Sequence, residues 1–566
     1  MTTMSETNPN VPTAKNRPIF RIILAILLFM QTSLLTYLSW STSPNRTEAG
    51  HIGAAVYLSH TGKFDVFHVN PPLVRIIAGM PIALFCNPTY DWKPYSPRPQ
   101  DRSEWALGTA FINANDCDDL RLYVFLMRLA CIPLVLIGGY FGYRFASELY
   151  GQWSGITFLI LWTFSPLILG WGATICPDVA AASIGIVGLY TFWHWLKSPS
   201  WWKAIIAGIC LGLMPLTKMT WIIAFPIWLC LWVIYRFSKR KEGIRLGQFA
   251  VIMLLGIYMI NMGYLFDGCF RPIKDYKFIS GTLTGTEIIK GRSAKLGNRF
   301  ADSWIGHVPV PLPAEFVQGI DTQKIDFERG LESYACGIWS DHGWWWYYGY
   351  VLLLREPLGV CGLTLLALFA SCVFRNINAS WRDELTVLIP LLAIFAFLSS
   401  QNGFSINPRY VVSVLPLLYI FVSKVASTST IICRLLSAVL LTWVVVSSLW
   451  FYPYSMSYFN EWAGKPENYP KYLLGSNIDW GQDAYALKTW VEKHPEAKPL
   501  YISYLSTIPL EKLNIKSDGD MPTEPTAGWI IAGVNNLFTK EGHFDWLKKN
   551  EPIAMIGYSI WVFKVD

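Results

Sequence analysis

Charge is what this chain has least of. Only 15% of its 566 residues are Asp, Glu, Lys or Arg, while 53% are hydrophobic; soluble domains carry about a quarter charged. That excludes an ordinary soluble globular protein. The net charge of +7 is small and scattered, and no basic stripe interleaved with aromatics is present, which excludes a nucleic-acid surface. A Gly-rich phosphate loop is also missing, so no nucleotide site is expected. The 11 Cys contain no C-x-x-C pair and no zinc spacing. Cys86 with Cys117, or Cys269 with Cys336, are the disulfides open to this chain in an oxidising compartment. There is no tandem repeat and no low-complexity tract.

What the chain does have is long apolar runs and aromatics, including 27 Trp and 28 Tyr, residues favoured at headgroup depth. After a polar tail (residues 1–17, expected to be disordered and cytoplasmic), Pro18–Trp40 is roughly one bilayer long and has no cleavage site, so it reads as a retained anchor. Further spans are expected at Leu122–Tyr143, Trp153–Trp171, Val179–Leu196, Ala204–Leu216, Trp221–Tyr235, Phe249–Phe266, Tyr350–Phe374, Leu385–Ser399, Tyr410–Val425 and Ile431–Phe451. The total is about eleven. With the N-terminus inside, Lys15, Arg17 and Arg21, the loop from Arg236 to Arg245, Lys197 with Lys203, Arg375 with Arg382, and Lys424 with Arg434 all fall on one side, as the positive-inside rule asks. The fold class is therefore an α-helical polytopic membrane protein, with a membrane domain over 18–451 and outer loops at 41–121 and 267–349. Residues 452–566 form a small outer α/β domain: "AYALKTWVEKH" has helical spacing, and "PLYISYL", "GWIIAGV" and "YSIWVFKV" read as strands.

Several polar residues sit where such a chain does not need them. "PPLVRIIAGMPIALF" is apolar but short for a span, and reads as an amphipathic helix in the interface that begins at Pro71-Pro72. Arg75 would lie one turn in, at phosphate depth, either as a bidentate phosphate ligand or as a residue snorkelling to generic lipid. Glu48 lies just past the first span: a general base for a hydroxyl, or a solvated loop acid. Asp178 opens a span, as a helix cap or as a second carboxylate facing the same site. Lys218, Arg355 and Arg409 also fall at outer ends of spans, where the positive-inside bias asks for no cations. A bound anion would explain them together.

Over a long stretch the resemblance becomes specific. "TEAGHIGAAVYLSHTGKFDVFHVNPPLVR" resembles the first-loop signature of family 39 glycosyltransferases, relatives of protein O-mannosyltransferases and of the lipid A aminoarabinose transferase that share the GT-C fold. "ELYGQWSG", "PDVAAA", "GLMPLTK", "PLPAEFVQGI", "NPRYVVSVLP" and "SYFNEWAGKPENYPKYLLGSNIDWGQD" follow in the family's order, extending the likeness from about Thr47 to Asp483.

The resemblance implies a sugar moved from a polyprenyl-phosphate donor to a hydroxyl of a protein, lipid or glycan, on the outer face of a bacterial plasma membrane. It implies Glu48 and Asp178 as catalytic carboxylates, and Arg75, Lys218 and Arg409 as ligands of the donor phosphate. His51 and Asn70 match recurrent positions, and Asp65 and Arg355 complete the candidate pocket. The family's first acid is Thr47 here, so Glu48 or another acid such as Asp65 takes that role, or activity is impaired. No metal is required by the resemblance, although Glu48, Asp178 and His51, or Asp479 and Asp483, are candidates for a divalent cation; the latter spacing does not fit an EF-hand. Two rivals remain: a transporter, which would show internal symmetry and mid-membrane charges, and a non-catalytic binder of lipid-linked glycans.

Overall fold

Each expected apolar run is helical in the structure, a computed structural model that describes residues 18–566 except 97, 99–100, 239–244, 289–294, 375–376, 378, 402 and 404. The expected N-terminal tail, with Lys15 and Arg17, lies outside the described residues, as do Lys239, Arg240, Lys241 and Arg375 of the basic loops. In chain order the first helices are α1 (Pro18–Ser41), α2 (Arg46–Thr61), α3 (Leu73–Phe85), α4 (Ser103–Ala114), α5 (Cys117–Tyr150), α6 (Gln152–Phe164), α7 (Pro166–Gly172), α8 (Pro177–Lys197), α9 (Trp201–Thr217), α10 (Ala224–Ser238) and α11 (Leu246–Gly263). They are followed by α12 (Gly281–Thr284), α13 (Ala314–Arg329), α14 (Tyr347–Arg355), α15 (Leu358–Val373), α16 (Trp381–Ser400), α17 (Leu415–Ser423) and α18 (Ile431–Phe451). Among the described residues eight helices are long and apolar enough to cross a membrane, or ten if each of two bent pairs is one span. The chain is a polytopic membrane protein.

Two spans differ from the straight rods expected. Tyr350–Phe374 is broken: α14 and α15 meet at 112°. Pro357 has no N–H to give and forces Glu356 out of the helical region, to φ −107°, ψ 146°. Trp153–Trp171 bends by 56° at Ser165, before Pro166. Neither candidate cysteine pair is bonded; Cys86, Cys117, Cys269 and Cys336 are all free.

The stretch between α1 and α5 holds three helices. α3 is the short apolar helix expected after Pro72, with Ile76, Met80, Leu84 and Phe85 exposed on one face. α2 was not expected as a helix, though its start is written in the sequence as Asn45-Arg46-Thr47-Glu48. The Asn45 side chain accepts from the Thr47 and Glu48 backbone N–H groups, and Glu48 reaches back to the Asn45 N–H, a capping box. Gly53 and Gly108 let α2 and α4 touch backbone to backbone; a Cβ on Gly108 would fall 1.9 Å from the Ala49 carbonyl oxygen.

In the C-terminal part, α19 (Ala484–Lys493) and the strands β3 (Leu500–Ser503), β4 (Gly528–Gly533) and β6 (Ile560–Val565) match the expected segments. Three short strands were not expected: β1 (Ser333–Ala335), β2 (Ile338–Ser340) and β5 (Ala554–Ile556). The larger sheet has the order β3-β4-β6-β5, with β3 and β4 parallel and the other neighbours antiparallel. The loop before α19 docks onto the α1–α2 junction. Ser43 donates its N–H to the Gln482 carbonyl (3.0 Å), Arg46 donates its N–H to Trp480 (2.8 Å), and Trp480 Nε1 donates to Thr47 Oγ1 (2.7 Å).

Candidate active site

Asp178, Lys218 and Arg409 come from three distant stretches and meet at the ends of α8 and α9 and the turn before α17. The α8 cap position falls to Cys176, which makes no side-chain cap bond, so Asp178 in the first turn is free to face inward. Its Oδ1 accepts from Lys218 Nζ. Its Oδ2 has no hydrogen-bond partner and lies 3.6 Å from an Arg409 nitrogen. Two cations thus share one carboxylate, leaving net positive charge in a largely buried place. Tyr410 lies between them, its ring 4.6 Å from Lys218 Nζ and 5.2 Å from the Arg409 guanidinium carbon, and Trp171 lies 5.5 Å from the same carbon. Neither aromatic was singled out in the sequence.

His51 belongs to this cluster. It is 1% exposed, and burial, then Arg409, Arg75 and Lys218, push its pKa well below the usual range. Its ring lies 4.7 Å from Phe67. Arg75 is also buried, but its fork is not open: one terminal nitrogen donates to the Val66 carbonyl (2.6 Å) and the other to the Asn70 carbonyl (2.7 Å). The expected bidentate grip on a phosphate is therefore replaced by a brace for the 66–70 turn, with the charge retained. Asn70 enters through that carbonyl.

Glu48 departs furthest from expectation. It is fully buried and its two oxygens accept from Arg128 Nε (2.8 Å), an Arg128 terminal nitrogen (2.6 Å), the Ile175 N–H (3.1 Å), and the Asn45 backbone and side-chain nitrogens (both 3.0 Å). A carboxylate so engaged has no lone pair left for a substrate proton. It is a structural hub instead, tying α2 to α5 and to the 174–178 turn that carries Asp178. Arg128, its partner, lies inside the apolar run Leu122–Tyr143, where the sequence carries no sign of the pairing. Thr47 accepts from Trp480 of the loop before α19.

The other expected pocket residues lie elsewhere. Asp65 accepts from Tyr95 Oη (2.5 Å). Arg355 donates to the Met456 carbonyl (2.8 Å) and lies over Phe459, a separate buried site behind α14. His68 Nδ1, by contrast, lies 2.6 Å from Glu315 Oε2 of α13, joining the two outer regions near Arg75. Among the described residues no group of three or more His, Cys, Asp or Glu is placed to hold a metal. Asp479 and Asp483 are both pushed up to about 7 by burial, toward the neutral form and against cation binding.

Residues 123–259 match the family described as dolichyl-phosphate-mannose-protein mannosyltransferase. This is the family 39 likeness expected from the first loop. The matched stretch carries Arg128, Asp178 and Lys218; Glu48, His51, Arg75 and Arg409 lie outside it. No curated protein matches the sequence. Among solved structures the chain is similar to ArnT from Cupriavidus metallidurans bound to undecaprenyl phosphate, at 12% identity and a TM-score of 0.49, over 96% of this chain and 97% of that one. It is also similar to the oligosaccharyltransferase AglB from Archaeoglobus fulgidus in complex with an inhibitory peptide and a dolichol-phosphate, at 12% identity and a TM-score of 0.45, over 97% of this chain and 74% of that one.

Proposed function

We propose that the protein is a membrane glycosyltransferase that moves a sugar from a polyprenyl-phosphate donor to a hydroxyl acceptor on the outer side of the membrane. The observation that carries this reading is Asp178: one oxygen bonded to Lys218, the other unpartnered beside Arg409. The family match over residues 123–259 supports the donor class.

Lys218 has three N–H donors, and Asp178 uses one. The other two, with Arg409, hold the donor phosphate and offset the charge it gains as it leaves, the kind of term that often dominates such catalysis. Asp178 Oδ2 accepts the proton of the attacking hydroxyl. The acceptor oxygen bonds to C1 as the C1–O bond to phosphate breaks, and the polyprenyl phosphate leaves with the bonding pair. One displacement inverts the anomeric centre. Arg75 adds positive charge from behind the 66–70 turn, and Glu48 with Arg128 fixes the turn before Asp178.

The test is transfer by the purified protein in lipid vesicles, supplied with polyprenyl-phosphate sugars labelled in the sugar and with an envelope extract as acceptor. Label passing to acceptor with the wild type and not with Asp178→Asn supports the reading. Equal transfer by both keeps the activity and removes Asp178 from the chemistry, and no transfer by the wild type overturns the reading. Donor binding without transfer by either indicates a non-catalytic binder.

A further inference from the structure

His51 is a titratable residue of the cluster whose arrangement the proposed chemistry leaves unused. Buried histidines normally settle one ring nitrogen on a carbonyl or carboxylate, because an unpaired buried polar atom costs about 1–3 kcal/mol. Neither His51 nitrogen has a hydrogen-bond partner. α2 turns His51 and Glu48 to one face, since they are three residues apart; Glu48 is anchored to the Ile175 N–H, and His51 lies one turn further along α2, within electrostatic reach of Arg409, Arg75 and Lys218. The ring is set by Phe67, which is held at φ 63°, a conformation that costs a bulky residue roughly 1–3 kcal/mol. Phe67 contacts His51 on one side and lies 6.0 Å from the Arg75 guanidinium carbon. Strain and two orphaned nitrogens together describe a site built for a ligand.

Three cations around a buried imidazole disfavour its protonation, so the ring carries one N–H and one lone pair. We propose that His51 is a neutral hydrogen-bond donor to a phosphate oxygen of the ligand held between Lys218 and Arg409. This rests on the reading of the site as a phosphate site and adds the residue that recognises the anion by a directed bond rather than by charge. The titratable groups on the elements around it are Arg75 on α3, Glu104 on α4, Asp178 on α8, Lys218 after α9, Glu315 on α13 with His68, and Arg409. All are retained in the variants below.

The experiment is binding of a polyprenyl phosphate to the full-length protein in detergent, with inorganic phosphate as competitor, for the wild type, His51→Phe and His51→Asn. Phe keeps the ring against Phe67 without a donor; Asn restores a neutral N–H. The expected result is a loss of roughly ten- to a hundredfold for His51→Phe, recovered in part by His51→Asn. The ratio of wild-type to His51→Phe affinity should stay constant between about pH 5.5 and 8, because a neutral donor does not titrate there. Displacement by millimolar inorganic phosphate identifies the phosphate group as what is read; displacement only by lipid assigns recognition to the chain and overturns the proposal. Equal binding by wild type and His51→Phe overturns it while the glycosyltransferase reading stands, and so does a ratio that rises as pH falls through 6.5. A wild type that binds no polyprenyl phosphate overturns both.

Discussion

Asp178 and Lys218, forty residues apart in sequence, are hydrogen-bonded side chain to side chain where the N-terminal end of α8 meets the C-terminal end of α9. The bond orients the carboxylate so that its second oxygen faces Arg409, and it divides the labour within the site. One oxygen is held, and the other is available for a proton.

Asp178→Asn should lower kcat by about 10²–10⁴, the usual contribution of a general base, with a smaller effect on donor binding. Lys218→Met should do the reverse in part, weakening donor binding as well as turnover, because it removes both the phosphate ligand and the partner of Asp178. Steady-state kinetics with separate variation of donor and acceptor distinguishes the two.

Glu48 should prove to be a stability residue. Removing one partner of a buried, hydrogen-bonded ion pair costs about 3–5 kcal/mol, so Glu48→Ala and Arg128→Ala should each sharply lower the unfolding temperature in detergent. The double variant Glu48→Met, Arg128→Met should cost less than either single change, because no buried charge is stranded. A Glu48→Gln protein that melts normally yet transfers no sugar would return Glu48 to the chemistry.

What was legible in the sequence follows from these two cases. Charges at the ends of apolar runs are expensive and therefore visible, which is why Asp178, Lys218 and Arg409 stand out. Which charge pairs with which depends on packing between distant helices. Arg128 is hidden inside a span, and nothing in the sequence joins it to Glu48, although Asn45 three residues before Glu48 marks a helix start. Asp65 and Arg355 have suitable chemistry but face Tyr95 and Met456. The break at Glu356-Pro357 is written in the Pro, whereas its 112° angle has no sequence signal. The left-handed Phe67 has no sequence signal.

Stability of the outer part should fall as pH rises from about 4 to about 7. In the folded state Asp479 and Asp483 hold protons up to about 7; their usual value is 3.8. Within that window the folded form binds more protons than the unfolded form, so raising the pH favours unfolding until both are ionised. Thermal unfolding of Asp479→Asn, Asp483→Asn should be flatter over the same range. A wild-type profile that rises through this window would contradict the assignment.

Orientation can be read from cysteines. Cys336 is free and exposed and the positive-inside pattern puts it outside, whereas Cys372, also free, lies at the end of α15 that this pattern puts inside. In single-cysteine proteins on intact cells, a membrane-impermeant maleimide should label Cys336 and spare Cys372 until the membrane is opened. The reverse pattern would place the Asp178 cluster on the cytoplasmic side.

The central claim is that the Asp178–Lys218–Arg409 cluster transfers a lipid-linked sugar, and mass spectrometry of envelope glycans, lipids and glycoproteins tests it most directly. Cells making the wild type should contain a sugar-bearing species that is absent both without the protein and with an equal membrane level of Asp178→Asn. Identical profiles from all three would contradict the account.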